Sequence, residues 1–104
     1  CVDIPRNGYL ALKNMKDHGG RPVTVKDEEI LAAQHELSKM SGLFTEPAGA
    51  TAYAGLKKAL EKGEIDKNAC IVVLTTGSGL KDAATALKGV SAPQKPIKSL
   101  NELV

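Results

Sequence analysis

The stretch Ala69–Lys88, ACIVVLTTGSGLKDAATALK, decides how the chain is read. Cys70 to Leu74 form an apolar run without polar alternation, the pattern of a strand covered on both faces, as in a parallel sheet flanked by helices. Two glycines around Ser78 then read as a tight turn, and the alanine-rich segment behind them reads as a helix. Ligands of open parallel sheets gather beyond the carboxyl ends of the strands, which is where Thr75–Gly79 falls.

Working outward, the spacing of Gly8, Leu12 and Met15 predicts a first helix, which the pair Gly19 and Gly20 can end. A short strand is expected over Val23–Val25, after Pro22. A second helix follows, capped by Asp27, with Ile30, Ala33, Leu37 and Met40 on its apolar side and Gly42 as its stop. Pro47 suits the first position of a third helix. Its expected face, Ala48, Ala52, Gly55, Leu56 and Ala59, is made of small residues that let a neighbouring backbone come close. The charged turn KGEIDKN leads back to the run at Cys70. The tail SAPQKPIKSLNELV is broken by prolines, with room for one short strand or helical turn. Helices alternating with strands give an α/β fold class. The expectation is a single α/β unit over 1–104, part of a three-layer domain with a mostly parallel sheet.

With 14 basic and 12 acidic residues the net charge is +2, and one Phe and two Tyr offer few stacking platforms, so nucleic acid is not an expected partner. The longest apolar run is far too short to cross a bilayer, so no membrane partner is expected and the reading is a soluble, cytoplasmic protein. Cys70 is expected to be a small buried thiol and not a disulfide partner of Cys1. Two cysteines so far apart provide no metal-ligand pair. The chain starts at Cys1 without a methionine, which leads us to expect a piece of a longer polypeptide.

The turn itself lacks the G-x-x-x-x-G-K-[ST] spacing of a phosphate loop, because Leu80, Lys81 and Asp82 follow Gly79; it also lacks the third glycine of a dinucleotide fingerprint. A strand-to-helix turn without any ligand remains a reading of the glycines alone. His18 reads as a helix-end residue and His35 as a polar-side residue of the second helix, neither with partners for catalysis.

Three stretches together carry a resemblance: VTVKDEEILAAQHELSKMSG, GLFTEPAGATAYAGLKKALEKGEID and VVLTTGSGLKD. The chain resembles the carboxyl-terminal part of threonine synthases, members of the fold type II enzymes that depend on pyridoxal phosphate. The motifs that carry it are T-G-x-G-L-K-D at Thr76–Asp82 and E-P-A-x-A at Glu46–Ala50. The resemblance implies that Thr76 offers its hydroxyl to the pyridine nitrogen of the cofactor and that Gly77 and Gly79 let the backbone pass close to the ring. It implies an acidic residue, Glu46, at the floor of the pocket. Lys26 stands where the family often has a serine cap, and Thr51 and Tyr53 where it often has smaller residues.

The family carries its cofactor on a lysine, and holds the phosphate with an Asn- and Gly-rich loop, in an amino-terminal half with no counterpart here. Lys57, Lys58 and Lys81 lie in charged contexts unsuited to that role, since such a lysine needs a pocket that lowers its pKa. No catalytic residue is therefore assigned, and the piece alone is expected to be inactive. The parent reaction implied is conversion of O-phosphohomoserine and water to threonine and phosphate. Its implied partners are a phosphorylated amino-acid substrate, the missing amino-terminal part and a second subunit of a homodimer. A sister enzyme, such as a cysteate synthase or threonine dehydratase, and a non-catalytic α/β interaction module are the alternatives.

Overall fold

The computed structural model describes residues 4–91 and 97–102. The stretch expected to be the buried strand runs extended and open to solvent: Val72 is 89% and Leu74 75% exposed. Among the described residues there is no strand and no sheet, so the α/β expectation is overturned; the architecture is helical, with four α-helices joined by extended segments and turns. Val23–Val25 is extended as well, without strand pairing. The physical reason is that a strand holds only when a second strand takes up its backbone N–H and C=O groups and packs its side chains. Neither apolar segment has such a neighbour among the described residues. Among the described residues a single isolated bridge pairs Thr45 with Ser78 in antiparallel fashion.

Helix α1 spans Gly8–Asp17, buries no residue and ends at Gly19, whose φ of +68° is the left-handed value the glycine pair was expected to supply. His18 caps its end, with Nδ1 3.0 Å from the Asn14 carbonyl. Helix α2 spans Asp27–Ser41 and stops at Gly42, at φ +75°. The cap lies one residue earlier than expected, at Lys26, whose backbone N–H donates to Glu29 Oε2 at 2.5 Å. Lysine can serve there because Glu29 reaches back to the orphan N–H of the first turn.

Helix α3 spans Pro47–Glu61, and Pro47 opens it as expected. Past its end Gly63 takes φ +68° and the N–H of Glu64 returns to the Ala59 carbonyl at 2.9 Å. A 3-10 turn, Gly79–Asp82, leads into α4, Ala83–Leu87, which is started by Asp82 accepting from the Thr85 N–H at 3.2 Å. A second 3-10 turn lies at Leu100–Glu102; residues 92–96 and 103–104 of the proline-broken tail, and Cys1, fall outside the described residues.

Among the described residues the buried hydrophobic side chains are all alanines: Ala33 on α2 and Ala50, Ala54 and Ala59 on α3. Small side chains let the two helix backbones approach closely, and the pair is laced at its rim by charge. Lys58 Nζ lies 3.0 Å from the Glu29 carboxylate, Lys57 pairs with Glu36, and the Tyr53 hydroxyl donates to Glu36 Oε1 at 2.8 Å. The buried face of α3 is Gly49, Ala50, Ala54 and Ala59; of the expected row Ala59 is buried, Gly55 and Leu56 are half-buried, and Ala48 and Ala52 are exposed. A helix with small residues on every side does not declare its face by periodicity, so its neighbours choose it.

The whole remains open. Its surface of 8722 Å² exceeds the roughly 5,600 Å² that scaling gives a folded monomer of this mass. The radius of gyration is 17.5 Å, against about 13 Å for an ordinary domain of this length.

Candidate functional site

The turn after the exposed stretch is tied by hydrogen bonds to the residues that lead into α3. Phe44, Thr45 and Glu46 run beside Gly77, Ser78 and Gly79, with the Glu46 N–H donating to the Gly77 carbonyl at 3.1 Å and the Gly79 N–H to the Phe44 carbonyl at 3.0 Å. The Thr45 side chain, 4% exposed, fills the space between: its hydroxyl lies 2.8 Å from the Gly77 carbonyl and 3.0 Å from the Thr76 carbonyl. Ser78 closes the turn by accepting from the Leu80 N–H at 3.3 Å.

The residues that sequence reasoning selected come together here. Gly77 has φ +70°, a value side chains disfavour, and a Cβ on it would lie 2.0 Å from Glu46 Oε1. Gly79 is buried against the Phe44 ring, which a Cβ there would meet at 2.5 Å. Glu46 therefore lies flat on the Gly77 backbone, mostly buried, and its other oxygen is 3.4 Å from Lys81 Nζ. Thr76 is exposed, and its hydroxyl makes no hydrogen bond to the described residues. Thr75, beside it, is half-buried.

Two residues of this constellation went unselected in the sequence. Gln34, 4% exposed on α2, donates its amide N–H to the Thr45 carbonyl at 2.7 Å, and Thr45 relays that contact to the turn. The signal for Gln34 was available: it stands four residues after Ile30, a polar residue on an apolar stripe, where burial demands a partner. Thr45 carries no such mark, since its role depends on a segment more than thirty positions away.

Other candidates stay apart. Lys57 and Lys58 are engaged across the α2–α3 rim, and Glu36 beside Lys57 raises its pKa, the opposite of what a nucleophilic lysine requires. His35 is exposed at the edge of a shallow cleft that Leu31, Phe44 and Val90 also line. Cys70 is an exposed free thiol, not the buried one expected, because the run it opens is uncovered. Among the described residues no group of three metal-ligating side chains assembles, and no helix is long and apolar enough to cross a membrane.

A pyridine ring needs one neutral or acidic group at its nitrogen and a close-lying backbone beneath it. The exposed Thr76 hydroxyl and the exposed Gly77 backbone fit that description, whereas Gly79 is covered by Phe44 and supports the turn from behind, and the described residues offer no glycine-rich anion loop for a phosphate.

Comparison with known proteins bears on the same residues. The chain is 47% identical to the threonine synthase of Methanocaldococcus jannaschii over 93% of its own length, 23% of the relative. It is 37% identical to the threonine synthase of Mycobacterium tuberculosis over 98% of its length, 29% of the relative, and 40% identical to that of Methanosarcina acetivorans over 88%, 23% of the relative. The chain thus spans about a quarter of the length of the curated relatives it matches. The model of the pyridoxal-phosphate dependent enzymes matches residues 2–77, a range that takes in Glu46, Thr76 and Gly77 and stops short of Gly79. With most of its length matched, the chain belongs to the family of pyridoxal-phosphate dependent enzymes.

Proposed function

We propose that residues 1–104 form the carboxyl-terminal part of the cofactor-binding domain of a threonine synthase, converting O-phosphohomoserine and water to threonine and phosphate. The observation that carries this reading is the tied turn, which leaves the Thr76 hydroxyl exposed and without a hydrogen-bond partner among the described residues, next to the Gly77 backbone that Glu46 lies against. The shared name of the relatives cited above favours this reaction over that of a sister enzyme. In this reading the lysine that carries the cofactor and the loop that binds its phosphate belong to the amino-terminal part of the same polypeptide. The exposed Val72 and Leu74 and the open shape support cover by such a part. The full-length enzyme is proposed to be a cytoplasmic homodimer.

Pyridoxal phosphate, when bound, supplies an electron sink. What this chain adds is the tuning of the ring. Thr76 presents a neutral hydroxyl where a carboxylate would hold the ring nitrogen protonated, so charge there is stabilised less and stays reactive on the substrate carbons. Gly77 and Gly79 keep side chains out of the turn, and Glu46, beside Lys81, holds its carboxylate against the Gly77 backbone.

The test is Thr76→Val in the full-length enzyme, a nearly isosteric change. Loss of one such hydrogen bond lowers cofactor affinity or turnover roughly ten- to a hundredfold, while Thr75→Val does much less. Cofactor titration and steady-state kinetics of both variants check it; equal losses, or a larger loss at Thr75, place the wrong hydroxyl at the ring.

A further inference from the structure

Gly77 gives the turn its left-handed bend but no stiffness, because a glycine backbone is free to leave φ +70° as readily as it adopts it. Something else must fix the peptide plane between Thr76 and Gly77. The Thr76 carbonyl in that plane receives one hydrogen bond among the described residues, from the Thr45 hydroxyl at 3.0 Å. The same hydroxyl lies 2.8 Å from the Gly77 carbonyl, so its single proton is shared between two acceptors. Thr45 is itself registered, through the 2.7 Å bond from the buried Gln34 amide to its carbonyl. A chain of contacts thus runs from α2 through Thr45 to the turn.

We propose that Thr45 is a positioning residue: its buried hydroxyl, held in register by Gln34, locks the Thr76–Gly77 peptide plane and so sets the direction in which Thr76 presents its own hydroxyl to the cofactor ring. A change in ψ of Thr76 that φ of Gly77 does not compensate turns Thr76 against the rest of the turn, and its side chain turns with it; the bond from Thr45 to the Thr76 carbonyl opposes that change. The proposal rests on the reading that Thr76 faces the ring, and it adds a residue whose side chain touches neither substrate nor cofactor.

The experiment compares Thr45→Val and Thr45→Ser in the full-length protein, with two readouts. The first is amide hydrogen exchange of residues 75–79 in the cofactor-free protein; the second is the dissociation constant of pyridoxal phosphate from a fluorescence titration. Valine removes the hydroxyl at similar volume, so exchange should rise about tenfold and affinity fall about five- to tenfold, while serine stays within about twofold of the parent on both. Unchanged exchange in the valine variant overturns the proposal, as does a serine variant that loses as much as valine, which would make volume and not the hydroxyl responsible. Faster exchange with unchanged cofactor affinity, where Thr76→Val does weaken binding, overturns the positioning role and leaves the reading of the site intact. If Thr76→Val itself leaves affinity unchanged, the reading of the site fails and the positioning role falls with it. Should the valine variant not fold, Gln34→Met loosens Thr45 without touching its hydroxyl; the same rise in exchange is expected, and none overturns the relay.

Discussion

The segments on either side of Thr75 are opposites. From Thr76 to Gly79 the backbone is bonded to Phe44, Thr45 and Glu46 and no Cβ fits at Gly77 or Gly79, while Ile71, Val72 and Leu74 just before it stand 39%, 89% and 75% exposed. Both segments are apolar or small. The difference teaches that a stretch is tied into the fold where its backbone groups find fixed partners, not where its side chains are greasiest. The turn finds them on the residues leading into α3; the stretch before it meets none among the described residues.

The hardest blow to the tied side should come from Gly49→Ala. A Cβ there would lie 2.1 Å from the Thr76 carbonyl oxygen and 2.3 Å from the Thr45 hydroxyl. Backbone cannot step aside as a side-chain tip can, so overpacking costs about 1–3 kcal/mol and outweighs the roughly 1 kcal/mol that alanine gains over glycine inside a helix. Gly55→Ala is the control on the same helix, since its Cβ would meet Val23 at an ordinary 3.8 Å. That variant should be neutral or gain up to about 1 kcal/mol. Denaturant midpoints of the two variants decide; equal losses would mean that Gly49 is not pressed against the turn.

A milder effect is expected from pH. The Lys26 N–H and then Lys58 hold the Glu29 carboxyl below its usual range, and Lys57 and then Tyr53 do the same for Glu36. Depressed carboxylates add stability that is complete above their ordinary pKa, about 4.3, and is lost as pH falls through the lowered values. Glu36 raises the pKa of both Tyr53 and Lys57, so their share is complete below about pH 10 and is lost as pH rises through the raised values. Thermal midpoints should therefore be flat between roughly pH 5 and 9. Glu29→Gln with Glu36→Gln should flatten the acid limb, and an unchanged acid limb would remove these pairs from the account.

The smallest effect belongs to the open side. Val72→Ser in the 104-residue chain should shift stability by no more than about 0.5 kcal/mol, because a side chain already in water loses nothing. A larger loss, read from helical circular dichroism against denaturant, would show that the stretch is packed after all and erase the contrast.

Much of the helical frame was legible in the sequence. Pro47 at a first helical position, Gly42 as a stop and the Gly19–Gly20 pair are local signals, and each acts within a turn of where it stands. The absence of strands among the described residues was not legible, because CIVVL has the composition of a strand but pairing is a property of two segments, and the partner is not written in either one. For the same reason the face of α3 was misplaced, since its neighbours and not its own spacing selected Gly49 and Ala54. At the site, Glu46, Thr76, Gly77 and Gly79 were selected through motif resemblance and the structure gathers them, while the hydroxyl that ties them, Thr45, is visible only once the two stretches are side by side.

The uncovered run has a consequence for the life of the molecule in a cell. Cys70–Thr75 holds no charge, no proline and no glycine and is rich in β-branched residues, the composition that stacks into cross-β fibrils when left exposed. Lys67 before it and Lys81 and Asp82 after it are the nearest gatekeepers, and they flank the run without interrupting it. Left uncovered, these six residues are the place where one copy of this polypeptide would pair with the next.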